Sequence, residues 1–192
     1  MFVMQTDIAG LRFVSLPDSA ELSYTTVTSP VGELVLTGSG EVLTGLFFGG
    51  PGEVLPGFAS GEGAWVFASD ALAQARGQLE QYFAGERSAF DLELAVTGTD
   101  FQRRVWRALC DIPFGRTISY RQLAEAIGQP GAGRAVGSAN SRNRIAVIIP
   151  CHRVIASSGS PGGYSGGLDR KQTLLQLENA SVSLPQFRSE AV

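Results

Sequence analysis

The sequence predicts a two-domain protein of the α/β class, more narrowly α+β, with a sheet in the first half and helices in the second. Short apolar or alternating segments separated by Gly, Pro and Ser fill residues 24–48, whereas residues 99–139 carry apolar side chains at helical spacing. The charge also changes sign, from a balance of −9 over residues 1–96 to +6 over residues 97–192. We therefore expect tails over residues 1–22 and 183–192 and domains over residues 23–96 and 97–182.

The first domain is expected to begin with an antiparallel meander. Its three strands are predicted at residues 24–28, 32–37 and 42–48. A Gly- and Pro-rich loop follows over residues 49–63, and helical spacing of apolar residues predicts a helix over residues 64–83. Residues 90–96 alternate and are interpreted as a strand or as the linker to the second domain. In the first tail, residues 11–16 are expected to dock on the domain body.

Start and stop signals predict the first helices of the second domain. One helix follows Thr99 and ends before Pro113. Ser119 and Gln122 form a Ser-x-x-Gln capping box, which predicts the start of another helix, and Gly128 ends it.

A third helix is expected to start at Pro130, because proline is favoured at the first helical position. Its packed side is predicted to consist of four small apolar residues, Ala132, Ala135, Val136 and Ala139. Two short helices joined through a glycine fit a helix-turn-helix and equally a generic αα-hairpin. All but one of the basic residues after residue 96 are arginines, whose planar groups suit phosphate and base recognition. The charge therefore favours a nucleic acid as the partner of this domain.

The pair Cys151-His152, which contains the only histidine, follows an apolar run over residues 145–149. The run is rich in β-branched residues and predicts a buried strand that Pro150 ends. A thiol beside an imidazole suits a nucleophile and its base, because a free thiol is only a few per cent ionised at neutral pH. The residues alone also leave open an inert buried thiol, which is the commoner state of a lone cysteine.

The cysteine and histidine counts exclude several other classes. Cys110, Cys151 and His152 are too few for a four-ligand zinc site, so no metal is expected. A papain-like protease needs a histidine far downstream of its cysteine, and the only histidine here is adjacent to Cys151, so that class is excluded.

The sequence also gives an expectation about location. No run reaches the roughly 18 apolar residues of a membrane span, and the N-terminus lacks the basic start of a signal peptide. With two cysteines suited to a reducing compartment, the protein is expected to be cytoplasmic.

The five residues Pro150-Cys151-His152-Arg153-Val154 resemble the active-site signature of the O6-alkylguanine-DNA alkyltransferases, the methylated-DNA–protein-cysteine methyltransferases. Further matching segments are residues 114–120, residues 134–137, Asn143, residues 164–168, Lys171 and Glu178. The resemblance covers residues 23–180 and is strongest after residue 98. It implies a ribonuclease H-like antiparallel-sheet domain followed by a winged helix-turn-helix-like alkyltransferase domain.

The resemblance also implies a reaction. The alkyl group of O6-alkylguanine in double-stranded DNA, and that of O4-alkylthymine, would pass irreversibly to Cys151, so that each molecule reacts once. His152 would accept the thiol proton through a water, and Glu178 would orient the imidazole. Tyr120 would press on a phosphate and give a proton to the departing guanine. No cofactor is implied, and the protein is expected to act as a monomer.

Two binding surfaces follow from the same resemblance. The substrate base would be held by Asn143, Val154, Tyr164, Ser165 and Lys171. DNA would be contacted by Tyr120, Arg121, Ala132, Arg134, Ala135 and Gly137, with Arg134 filling the space left by a flipped nucleotide. Arg153 is expected to brace the fold and Cys110 to pack in a helix. Asn140 and Arg144 depart from the family pattern, and neither is expected to touch the chemistry.

Two alternative functions belong to other classes. One is a non-catalytic lesion-binding protein of the alkyltransferase-like kind, against which the presence of Cys151 argues. The other is an unrelated cysteine hydrolase or redox enzyme, which would turn over many times where an alkyltransferase stops after one reaction.

Overall fold

The computed structural model describes residues 10–55 and 65–179. The start of the predicted N-terminal tail, most of the Gly- and Pro-rich loop and the predicted C-terminal tail lie outside these residues. Within them, a six-stranded sheet with helix α2 precedes a mainly helical second half. None of the helices in the described ranges is long and apolar enough to cross a membrane.

The predicted meander is confirmed and forms the centre of the sheet. β2 (Ser23–Ser29), β3 (Gly32–Ser39) and β4 (Val42–Phe48) pair antiparallel in chain order. Their inward side chains, such as Leu34 and Leu36, are fully buried. The sheet also contains β1 (Leu11–Phe13), β5 (Val66–Phe67) and β6 (Leu92–Leu94), and its full strand order is β1-β6-β4-β3-β2-β5.

The strands that flank this meander were only partly predicted. β1 (Leu11–Phe13) runs parallel to β6 (Leu92–Leu94), so the expected docking of residues 11–16 takes the form of an added strand. At the other edge, the predicted helix over residues 64–83 is wrong in its first part. There β5 (Val66–Phe67) pairs parallel with β2.

The edge of β2 explains this difference. A free sheet edge offers unpaired backbone groups. Val66 and Phe67, which both have a high preference for strands, pair with the edge of β2. Phe67 also packs on the Tyr24 ring, with 5.4 Å between the ring centroids. Helix α2 therefore begins only at Ala73 and ends at Phe83. A further short helix, α1 (Pro51–Val54), lies at the start of the predicted loop.

The helices of the second half begin at their predicted caps, with one exception. α3 (Asp100–Cys110) and α4 (Tyr120–Ala126) each follow a capping box. The predicted start at Pro130 is wrong, because α5 comprises Gly133–Ser141. Gly131 has a φ of +96°, a left-handed conformation that a right-handed helix does not contain.

The packed side of α5 also differs from the prediction. Val136, Ala139 and Asn140 are buried, whereas Ala132 is half-buried and Ala135 is exposed. α5 packs against α4 and α3, which gives the arrangement of a helix-turn-helix. The remaining elements are β7 (Ile118–Ser119), which pairs parallel with β8 (Val154–Ile155), and α6 (Leu168–Leu177).

The predicted strand over residues 145–149 is buried but is not a strand. Only Ile145 bridges to the sheet, at Leu46. The chain then folds into tight turns, with Val147 at a φ of +68°. The amide of Ile149 donates back to the carbonyl of Ile145 at 3.0 Å. These local bonds satisfy backbone groups that a strand would present to neighbours, so the apolar run is buried without a ladder.

Candidate active site

Cys151 lies at the start of a single 3₁₀ turn, Cys151–Arg153, that follows the buried tight turns. Its side chain is 3% exposed and lines a cavity of about 240 Å³. Tyr120, Asn140, Tyr164 and Ser165 share that cavity. The tertiary structure thus places the predicted nucleophile in a small enclosed site.

Asn143 supports the turn that carries the thiol. Its side-chain amide donates to the Ile149 carbonyl at 2.8 Å and to the sulfur of Cys151 at 3.2 Å, and its oxygen accepts the Ile145 amide at 3.0 Å. One side chain just after α5 therefore joins the end of that helix to the reactive residue.

The Cys151 thiol is protonated at neutral pH. Burial raises its pKa above the usual value, and the hydrogen bond from Asn143, the Tyr164 hydroxyl and the positive charge of Lys171 only partly oppose this. A reaction that uses the thiolate consequently needs a base that accepts the proton as the sulfur reacts.

His152 has the properties of such a base. The ring is fully buried, and burial lowers its pKa against the opposing effect of Glu178, so it is neutral near pH 7. Its Nε2 lies 2.9 Å from Glu178 Oε1, and it donates a hydrogen bond because the carboxylate can only accept. Nδ1 is then the lone-pair nitrogen, and it has no hydrogen-bond partner among the described residues.

Glu178, which follows α6, is a buried acceptor of several hydrogen bonds. Arg153 donates to both of its oxygens, at 2.9 and 3.0 Å, and the Gly115 amide donates at 3.3 Å. Burial alone would raise its pKa, but His152 and Arg153 outweigh burial and lower the value to about 2. The carboxylate is therefore ionised and fixes the imidazole orientation.

Arg153 is buried and contacts several segments of the second domain, as expected for a residue that stabilises the fold. Besides Glu178, its guanidinium donates to the Ile112 carbonyl at 2.6 Å and lies 5.9 Å from the Phe114 ring centroid. Only 6% of the residue is exposed.

Lys171 holds the loop that contains Pro161 to β8. Its ammonium group is fully buried and donates to the carbonyls of Val154, at 2.6 Å, and Pro161. Burial lowers its pKa to about 8, although the nearby Cys151 acts in the opposite direction. The predicted substrate residue Val154 is thus buried, with its carbonyl paired to Lys171.

Two tyrosines line the cavity with the Cys151 thiol, one at the start of α4 and one in the loop before α6. Tyr120, at the start of α4, is half-buried and donates to the Gly163 carbonyl at 3.4 Å. The Tyr164 hydroxyl is buried beside the Cys151 thiol. Burial and the neighbouring Cys151 raise the pKa of both hydroxyls, so each is a proton donor at neutral pH.

The predicted DNA-contact residues lie on α4, on α5 and at the residue before α5. Arg121, Arg134 and Ala135 are exposed, and Gly137 lies at the cavity beside Tyr120. Tyr120 and Gly137 therefore connect these two helices to the cavity that contains the thiol.

One expectation about the departures from the family pattern is wrong. Asn140 is 4% exposed, lines the cavity, and donates to the Cys151 carbonyl at 3.4 Å. It lies in the last turn of α5, three residues before Asn143, and this closeness to a predicted site residue is the signal that sequence reasoning overlooked. Arg144 instead lines a separate cavity of about 770 Å³ between the sheet and α5.

Tyr82 is a contributor that the sequence did not indicate. Its hydroxyl, on α2, donates to Glu178 at 2.6 Å. Helical spacing assigned it only to an apolar helix face, and no local pattern connects residues 96 positions apart. Cys110, by contrast, is a packing residue as predicted: it donates to the Trp106 carbonyl, and burial raises its pKa to about 12.

Among residues 10–55 and 65–179, no three histidine, cysteine or acidic side chains are grouped so that they could hold a metal ion. The polar groups around Cys151 and His152 are instead satisfied mainly by one another.

Comparisons with known proteins agree with this geometry. Residues 22–96 match the family model of the 6-O-methylguanine DNA methyltransferase ribonuclease-like domain, and residues 100–180 match that of its DNA-binding domain. The methylated-DNA–protein-cysteine methyltransferase of Mycobacterium leprae is 52% identical over 154 residues, which cover 80% of this chain and 90% of that protein. The protein of the same name from Mycolicibacterium paratuberculosis is 53% identical over 168 residues, covering 86% and 99%.

Solved structures give the same result. The crystal structure of Mycobacterium tuberculosis O6-methylguanine methyltransferase matches with a TM-score of 0.73 at 48% identity, covering 82% of this chain and 93% of that one. Mycobacterium tuberculosis OGT in complex with DNA matches with a TM-score of 0.73 at 50% identity, covering 82% and 92%. The predicted fold class, a ribonuclease-like domain followed by a DNA-binding domain, is confirmed. The chain belongs to the methylated-DNA–protein-cysteine methyltransferase family.

Proposed function

We propose that this protein reverses O6-alkylguanine lesions in double-stranded DNA by moving the alkyl group to the sulfur of Cys151, once per molecule. The observation that carries the proposal is the enclosed thiol of Cys151, held by Asn143 beside the buried His152–Glu178 pair. Because the thiol is protonated and the imidazole neutral, the site has a nucleophile and a base in the states that alkyl transfer needs.

The reaction balances without a cofactor. The thiol proton moves to Nδ1 of His152 through a water, and the sulfur attacks the alkyl carbon. The sulfur–carbon bond forms as the carbon–O6 bond breaks, and the electron pair of that bond remains on guanine. Tyr120 donates the proton that neutralises the departing base and recovers one from solvent, and the imidazolium of His152 releases its extra proton to solvent. The net change places the alkyl group on sulfur and leaves unmodified guanine.

Glu178 lowers the barrier by stabilising the imidazolium that forms on His152. The product is a thioether, which water does not cleave, so Cys151 is not regenerated. The protein is therefore a stoichiometric reagent rather than a turnover enzyme.

Delivery of the base is assigned to α4 and α5. The O6 atom lies inside the stacked duplex, so the nucleotide must be flipped into the cavity. Small residues on α5 and at its N-cap, namely Ala135, Gly137 and Ala132, allow close approach to a groove, and Arg134 fills the vacated space. Tyr120 presses on a phosphate, and Arg121 contributes a phosphate contact from the same face.

The cavity residues hold the flipped base. Tyr164 and Ser165, which line the cavity with Cys151, contact O6. The carbonyls of Cys151 and of Val154, which lies next to this lining in the sequence, accept from the guanine amine. Lys171 keeps the loop closed over β8, while Asn143 keeps the thiol in place. O4-alkylthymine is a second substrate in this proposal. We further expect the protein to act as a cytoplasmic monomer without a metal.

Mass spectrometry after incubation with duplex DNA containing O6-methylguanine tests this proposal. The peptide containing Cys151 should gain one methyl group, and the yield should stop at one equivalent of protein however much substrate is added. Methyl on Cys110, or product formation that continues past one equivalent as a hydrolase would give, contradicts the mechanism.

A further inference from the structure

We propose that Tyr82 of the sheet domain is a positioning residue of the reaction, which sets the orientation and basicity of His152 through Glu178. The inference rests on the proposed role of His152 as the base. It makes the first domain a working part of the active site in addition to its support of the fold.

The geometry is a hydrogen bond between the two halves of the chain. The Tyr82 hydroxyl donates to Oε1 of Glu178 at 2.6 Å, and both side chains are at most 2% exposed. The same oxygen also accepts from His152 Nε2 at 2.9 Å and from an Arg153 nitrogen at 3.0 Å. Three donors therefore share one carboxylate oxygen, and a change in one alters the charge available to the others.

The Tyr82 ring is held on several sides. Phe83 and Phe90 of the first domain lie 5.2 and 5.4 Å away by ring centroids, and Phe114 of the second domain lies 6.1 Å away. The ring therefore cannot turn its hydroxyl away from Glu178 without disturbing this cluster. A donor fixed in this way limits rotation of the carboxylate that orients the imidazole.

The charged and titratable groups around the His152–Glu178 pair come from three elements. Glu178 and Lys171 belong to α6 and its end, Arg153 to the 3₁₀ turn, and Tyr82 to α2. Burial and Glu178 raise the pKa of Tyr82, so it stays a neutral donor throughout the working pH range. Its bond to Oε1 withdraws negative charge that would otherwise stabilise the imidazolium, which makes His152 less basic than Glu178 alone would make it.

The test is Tyr82→Phe, which removes the hydroxyl and keeps the ring. Because the chain has one histidine, the imidazole signals in an NMR titration report His152 alone. The pKa of His152 should rise, and the acid limb of the methyl-transfer rate should move to higher pH by the same amount. The transfer rate at neutral pH should fall about threefold to tenfold, the usual effect of losing one hydrogen bond, with unchanged DNA affinity.

Two further variants separate positioning from packing. Phe90→Leu weakens the same ring cluster but keeps the hydroxyl, so it should lower thermal stability and leave the His152 pKa and the pH profile at wild-type values. Incorporation of a difluorotyrosine at Tyr82 keeps the shape and strengthens the donor, so it should lower the His152 pKa. This variant also gives an answer if Tyr82→Phe does not fold.

The inference is overturned if wild-type protein forms S-methylcysteine but neither Tyr82 variant shifts the His152 pKa or the acid limb. It is equally overturned if Phe90→Leu shifts them as much as Tyr82→Phe. Failure of the proposed function would look different, because the wild type itself would then form no S-methylcysteine.

Discussion

Two buried regions of this protein, the central strands β2–β4 and the turn segment of residues 143–154, are held together in different ways. In the sheet, backbone groups pair in continuous ladders, so no single side chain is needed to satisfy them. In the turn segment, backbone and side-chain groups find their partners in Asn143, Lys171 and Glu178. Substitutions there remove bonds that nothing else replaces, so we expect the scaffold to tolerate changes that the reactive segment does not.

The largest effect is expected from Cys151→Ala. Methyl transfer should become undetectable by mass spectrometry, while affinity for duplex DNA, measured by fluorescence anisotropy, stays near wild type because phosphate contacts carry binding. Cys110→Ala is the matched control, since that thiol packs in α3. It should cost about 1 kcal/mol of stability and no activity. A loss of transfer in the Cys110 variant would contradict the assignment.

Arg134→Ala separates the reactive segment from the helix that delivers DNA to it. Repair of duplex substrate should fall roughly 10- to 100-fold, because unstacking a base costs a few kcal/mol that the arginine offsets. Reaction with free O6-benzylguanine, which needs no flipping, should be unchanged. Arg87→Ala on the acidic sheet domain should alter neither rate. Equal losses on both substrates would indicate a folding defect and remove the intercalating role.

Asn143→Ala compares the two regions directly. It leaves the Ile145 amide and the Ile149 carbonyl without their side-chain partner, and urea denaturation should show a loss of about 2–4 kcal/mol. Ser23→Ala in β2 also removes a side-chain bond to a carbonyl, that of Gly38, but the ladder remains, so the loss should be below about 1 kcal/mol. Similar losses in the two variants would show that the regions do not differ as proposed.

The smallest effect is the pH dependence of stability. Burial lowers the pKa of His152, so the unfolded chain takes up a proton below about pH 6.5 that the folded chain rejects, and stability falls as pH drops. Glu178 has a pKa of about 2 in the folded protein and about 4.3 in the unfolded chain. The stability that its ionised carboxylate contributes is therefore lost as the pH falls from about 4.3 to about 2.

Thermal unfolding from pH 8 to pH 4 should therefore show a midpoint that declines below about pH 6.5. Glu93→Gln, at an exposed ion pair with Arg12, should leave that decline unchanged. A midpoint that stays constant down to pH 5 would mean that His152 is not buried in its neutral form.

Local sequence patterns predicted those helices and strands that are determined by interactions between residues close together in the sequence. The helix starts after Thr99 and Ser119 were predicted, the second from its capping box, because a side chain and an amide three residues away decide such a start. The meander was predicted because alternation and turn residues are read within one segment. β5 and the start of α5 were missed, because a neighbouring strand edge decided the first and the left-handed backbone of Gly131 the second.

The sequence by itself determined the identity of the reactive cluster, since the signature around Cys151 fixes which residue types are present. Only the tertiary structure decided that residues 145–149 are turns rather than a strand, that Asn140 bonds the Cys151 carbonyl, and that Tyr82 reaches Glu178. The physical reason is distance along the chain. Hydrogen bonds between residues up to 96 positions apart form only after packing brings their elements together, and no local pattern encodes them.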